Sequence, residues 1–154
     1  SDTRFHVGHS AIITPVLERL RRFYEHVLEL ELVAEDVPPV PGCTRLAVFC
    51  DGRAVAMLAF EKPDAETPAN RPFGERGPVD HLTFVVADAD AFGAATRRLI
   101  DTGASTGEVN PIGPTLSVAF TDPDGRPMNL QRPNPDWDPA SIGADPDIAT
   151  LIAR

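Results

Sequence analysis

The chain has 154 residues, of which 42% are apolar, and a formal net charge of −9. That length and composition suit one domain with a full hydrophobic core and exclude a disordered chain. The acidic balance repels phosphate backbones, so nucleic acid is not an expected partner, and no apolar run approaches a membrane-spanning length, so no membrane role is expected.

Cys43 and Cys50 stand apart with no CxxC spacing, and Ser1–Phe5 carries no signal-peptide pattern, so the expected location is the reducing cytoplasm. In chain order, His9–Thr14 predicts a strand with β-branched Ile12, Ile13 and Thr14. Thr14 as N-cap and Pro15 at the first helical position open a helix over 15–28. Its apolar stripe is Val16, Leu20, Tyr24, Val27 and Leu28. Alternation resumes at Leu30 and Leu32 and is broken by Pro38, Pro39 and Pro41. Strands at Arg45–Cys50 and Ala54–Glu61 follow, joined at Asp51-Gly52.

Residues 62–79, rich in Pro, Gly and charge, read as a linker. The plan then repeats. His81–Val86 is a strand, Asp88 or Asp90 a cap, Ala89–Thr102 a helix, and Gly103 its stop. Thr115–Thr121 and Pro127–Gln131 make a last hairpin about Asp124-Gly125. In the tail after Pro133, Asp147–Ala153 is expected to form a helical turn or two docked by Ile148, Leu151 and Ile152, with Trp137 expected to pack beneath the tail.

An offset of 72 residues carries His9 onto His81 and Met57 onto Asn129. The DGR turns at 51–53 and 124–126 are offset by 73, so the two hairpins differ by one residue. A repeated strand–helix–strands plan organises a whole fold, which isolated motifs do not. Among the four histidines, His6 falls on the face opposite His9 and His26 lies off the helix stripe, which leaves His9 and His81 as a matched pair. No Gly-rich phosphate loop and no GxSxG elbow is present.

The segments GHSAIIT, RFYEHVL, DHLTFVV and FTDPDGRPMNL, in that order and spacing, resemble the vicinal-oxygen-chelate superfamily. Its members include glyoxalase I, extradiol dioxygenases, fosfomycin-resistance enzymes and bleomycin-binding proteins. The resemblance spans residues 5–132. It implies an α+β fold of two tandem β-α-β-β-β modules, 5–61 and 80–132, that enclose a shared cleft in a single structural domain. Residues 62–79 are then the linker and 133–154 the tail. It also implies a small-molecule ligand and a homodimer.

In metal-using members, a His opening each module and a carboxylate on a last strand hold a divalent ion. The matching positions are His9, His81 and Asn129, with Met57 (or Ala56 after a one-residue shift) as the first-module counterpart of Asn129. A bound ion would act as a Lewis acid. An amide is a poorer ligand than a carboxylate for Fe, Mn, Zn or Ni, so the expectation is a weakly held metal or none. Glu61 and Gln131 share parity with these positions and are expected in the cleft, and Arg76 is a candidate for holding an anionic group. Asp80 alternates away from His81. Two readings result. The first is an enzyme acting on an oxygenated metabolite, with His9 and His81 catalytic, of lyase, isomerase or dioxygenase type. The second is a metal-free protein that binds an antibiotic or metabolite.

Overall fold

Buried and open residues alternate along the strands, and that alternation sets the architecture. In β1 (Ser10–Thr14), Ile12 and Thr14 are buried while Ala11 and Ile13 are open. One face of the strand therefore meets a core and the other does not. The computed structural model describes residues 8–66 and 81–138. His6, Arg76, Asp80 and the expected turns at 147–153 lie outside the described residues.

The first module continues with α1 (Leu17–His26), β2 (Glu31–Asp36), β3 (Arg45–Cys50) and β4 (Val55–Glu61). Its sheet has the order β1-β4-β3-β2, with β1 parallel to β4 and the other pairs antiparallel. A parallel pair needs a crossover connection, and α1 supplies it. The second module repeats this with β5 (Leu82–Val85), α2 (Ala89–Asp101), β6 (Val109–Ile112), β7 (Thr115–Thr121) and β8 (Pro127–Pro133), in the order β5-β8-β7-β6. The chain divides into two compact units, and Pro123–Gly125 of the β7–β8 turn belong with the first. Among the described residues no helix is long and apolar enough to cross a membrane.

Each helix covers one face of its own sheet. Leu17, Leu20 and Tyr24 of α1 are fully buried with Ala47, Phe49, Met57 and Ala59, and the Tyr24 and Phe49 rings lie 6.0 Å apart. In the second module Phe92, Ala95 and Leu99 of α2 are buried with Val118, Phe120, Met128 and Leu130. Burying such side chains contributes roughly 1.5–3 kcal/mol each.

The start of α1 differs from the sequence expectation. The helix opens at Leu17, and Val16 at the cap position makes no side-chain cap bond and is 46% exposed. Thr14 Oγ1 accepts from Val16 N at 3.2 Å. The first helical amide, Leu17 N, donates instead to Glu61 Oε2 at 2.9 Å, and Glu61 Oε1 accepts from Thr44 Oγ1 at 2.8 Å. A carboxylate from β4 thus caps the helix and complements its dipole. α2 is capped locally, with Asp88 accepting from Ala91 N at 2.7 Å, and it stops at Gly103 (φ 72°) as expected. The strand β6 was not expected, because Val-Asn-Pro-Ile is short and carries a proline.

The two hairpin turns are built differently. Asp51 accepts from the Arg53 and Ala54 amides at 3.0 and 3.2 Å, and these bonds hold its carboxyl below the ordinary aspartate pKa. In the second turn Asp122 pairs with Arg126. Within the first unit, Arg19 Nη2 meets Asp124 Oδ1 at 2.7 Å, with the Asp124 side chain fully buried.

Glu61→Ala removes the acceptor of the Leu17 amide and is expected to lower unfolding stability by about 1–2 kcal/mol, similar to Asp88→Ala, as cap removals do. Urea titration of both variants checks this. A Glu61→Ala variant with unchanged stability would show that the carboxylate is not holding the helix start.

Candidate functional site

Asn129 sits in the middle of β8, between Thr83 of β5 and Ala119 of β7. Met128 and Leu130, which flank it, are buried on the α2 side. Successive strand residues point to opposite faces, so Asn129 and Gln131 occupy the face that α2 leaves open. Partners in register share a face, which adds Thr83, Val85, Ala119 and Ser117. His81 directly precedes β5 and has the parity of Thr83.

This face is polar without formal charge. Ser117 is 3% exposed and Asn129 6%. Gln131 Nε2 approaches Ser117 Oγ at 3.5 Å, a long and weak hydrogen bond. Among the described residues, no side chain hydrogen-bonds the Asn129 amide. None of the β5, β6, β7 or β8 positions on this face is Asp, Glu, Lys or Arg. Among the described residues, His81 is the titratable group that adjoins them.

The open face of the first sheet has another character. His9, directly before β1, has the parity of Ala11 and Ile13 and is exposed. Beside Ala11 and Ile13 lie Leu58 and Phe60 of β4. One imidazole therefore stands at the edge of an apolar surface.

Two expected cleft residues lie elsewhere. Met57 is fully buried and pairs with Ser10 and Phe49 on the α1 side. The reason is a bulge: Phe49 pairs with Met57 but Cys50 with Val55, which leaves Ala56 as the extra residue. The Phe49–Met57 rung corresponds to the Phe120–Met128 rung, 71 positions on. The ladder counterpart of Asn129 is therefore Leu58, and neither Met57 nor Leu58 is a metal ligand for a hard cation. Glu61 shares the helix side with Met57 and caps α1, which takes it out of the cleft. Thr83, Ser117 and Ala119 were missed by sequence reasoning; the alternation of β7 held the signal, but only the register assigns its partners.

The donor set can be tested against a resident metal. Hard divalent ions favour anionic oxygen ligands. The open face of the second sheet offers an imidazole and neutral amides and hydroxyls, and that of the first an imidazole among mostly apolar side chains, with Cys50 on β3 and the carboxylates of Glu31 and Asp36 on the edge strand β2. The buried carboxylates Asp122 and Asp124 are paired with Arg126 and Arg19. Among the described residues, no three His, Cys, Asp or Glu side chains converge on one point. These residues do not fit a tightly held metal.

Comparison with known proteins agrees with this fold. The model of the Glyoxalase/Bleomycin resistance protein/Dioxygenase superfamily matches residues 6–128. The protein YwkD of Bacillus subtilis (strain 168), named as uncharacterized, is 29% identical over 126 residues, which cover 80% of this chain and 94% of that protein. A glyoxylase/bleomycin resistance protein/dioxygenase domain from Frankia sp. EAN1pec superposes with a TM-score of 0.68 at 18% identity, covering 87% of this chain and 96% of that one. A variant of the fosfomycin resistance protein FosX from Listeria monocytogenes, complexed with Mn(II) and 1S,2S-dihydroxypropylphosphonic acid, gives 0.58 at 17% identity, over 85% and 94% of the two chains. On the family match across most of its length, the chain belongs to the glyoxalase/bleomycin resistance protein/dioxygenase superfamily.

Proposed function

We propose that this protein binds an oxygenated small molecule on the open face of its second sheet, without a resident metal ion. The observation that carries the reading is Asn129, an amide 6% exposed on a helix-free strand face and free of side-chain partners among the described residues. Neither polar atom of this side chain is both sealed from solvent and unpartnered among the described residues, so a ligand on this face can reach its donor and its acceptor. Thr83, Ser117 and Gln131 extend the same hydrogen-bonding character along β5, β7 and β8. His81 is the group there able to take or give a proton, so it carries any acid–base step.

A second reading, metal-assisted catalysis, is favoured by one feature: a histidine opens each module, at His9 and His81. The FosX variant complexed with Mn(II) supports metal use in that relative. In this reading Fe, Mn, Zn or Ni would be held weakly by His9, His81 and Asn129.

Thermal-shift screening of oxygenated metabolites and antibiotics supplies a ligand, since binding raises the melting temperature. Asn129→Leu and His81→Ala are then expected to weaken it about tenfold or more, the equivalent of roughly 1.4 kcal/mol per lost hydrogen bond. Unchanged affinity in both variants would place the ligand elsewhere. Calorimetry on Asn129→Glu provides the complementary check. The added carboxylate is expected to raise affinity for Mn²⁺ or Ni²⁺ at least about tenfold over the native chain. Equal metal affinity in the two proteins would count against position 129 as part of any metal site.

A further inference from the structure

The face described above also restricts what its ligand can be, and this step rests on that face being the binding surface. We infer that the ligand group seated over Asn129 is an uncharged amide-type edge, a carbonyl beside an N–H, and not a phosphonate, phosphate or carboxylate.

Three observations carry it. First, the Asn129 side chain has both N–H donors and a carbonyl acceptor. It is 6% exposed, and its register neighbours are the Ala119 methyl and Thr83. A lone ligand hydroxyl or carbonyl satisfies one half of such an amide at a time. A coplanar edge with an acceptor next to a donor satisfies both halves together, as when Asn reads the donor–acceptor edge of adenine.

Second, among the described residues no positive side chain lies on this face to meet an anion. The strand positions of the face include no Lys or Arg. Arg132 alternates to the α2 side with Met128 and Leu130. Arg126 pairs with Asp122 and Arg19 with Asp124. An anion desolvated against neutral groups without a counter-charge is strongly disfavoured, and the net charge of −9 adds long-range repulsion.

Third, the neutral character continues on the next rung, where Gln131 and Ser117 approach each other at 3.5 Å. The row spans two alternate strand positions, roughly 6–7 Å. That length suits a second carbonyl, hydroxyl or N–H on the same ligand, so lactams, cyclic imides, ureas and carboxamides form the candidate class.

The test uses three probes that share one ring: benzamide, benzoate and phenylphosphonate. Each is titrated into uniformly ¹⁵N-labelled full-length protein at pH 8, and the side-chain amide signals are followed, with Asn129 assigned by its loss in Asn129→Leu. Saturable shifts of the Asn129 signal by benzamide, with benzoate and phenylphosphonate at least about tenfold weaker, are the expected result, since a site built on hydrogen bonds rejects a mismatched partner. Asn129→Asp keeps the shape but replaces the donor with an anionic acceptor, and it should lose benzamide by a similar factor even if Asn129→Leu folds poorly. Benzoate or phenylphosphonate binding at Asn129 as tightly as benzamide would overturn the amide inference and leave the face intact as the site. No benzamide shift at Asn129 up to the solubility limit, alongside anion probes that do shift it, overturns the inference in the same way. Shifts from all three probes confined to residues away from Asn129, Gln131 and His81 would overturn the binding face itself.

Discussion

Met128 and Leu130 fix where the polar residues between them can point. Both are buried on the α2 side of β8, and the period of two along a strand then turns Asn129 and Gln131 to the opposite face. A slip of one residue would bury two amides under the helix and expose two large apolar side chains. The register with β5 and β7 carries the same division sideways, to Thr83, Ser117 and Ala119. The hydrophobic core thus sets the chemistry of the open face, although none of its side chains lies there.

The first module obeys the same constraint with another outcome. Its bulge at Ala56 keeps Met57 in the core and gives the open face Leu58 where the second module has Asn129. Glu61 follows Met57 and Ala59 to the helix side, where its carboxylate meets the first amide of α1. A carboxylate that satisfies a helix start is unavailable to a ligand. The module therefore presents a mostly apolar surface around β1 and β4 with His9 at its edge, whereas the buried amide and hydroxyl of Asn129 and Ser117 lie on the second sheet.

Much of the fold was legible in the sequence. β3 and β7 match their expected bounds, and Asp88 and Gly103 delimit α2 because caps and stops act through local backbone chemistry. The family resemblance was legible too, since it rests on an ordered, doubled set of segments. The misreadings were non-local. Thr14-Pro15 looked like a helix start, but the capping group comes from Glu61, which is 44 residues away from Leu17. Mapping Met57 onto Asn129 took a constant offset across a hairpin that gains a bulge, and one inserted residue reverses every face assignment after it. Asn129 was found through the family pattern, whereas its neutral surroundings depend on strand register, which sequence alone does not provide.

The central claim is that the amide at 129 serves recognition of an uncharged ligand, with no ion needed. The most direct measurement is the Kd of the ligand for native protein before and after exhaustive chelation, with each sample then resupplied with Fe²⁺, Mn²⁺, Zn²⁺ or Ni²⁺. The Kd is expected to stay within about twofold throughout, because neutral hydrogen bonds do not depend on a bound cation. Binding that disappears on chelation and returns with one of these ions would contradict it, and would assign the two histidines to a metal after all.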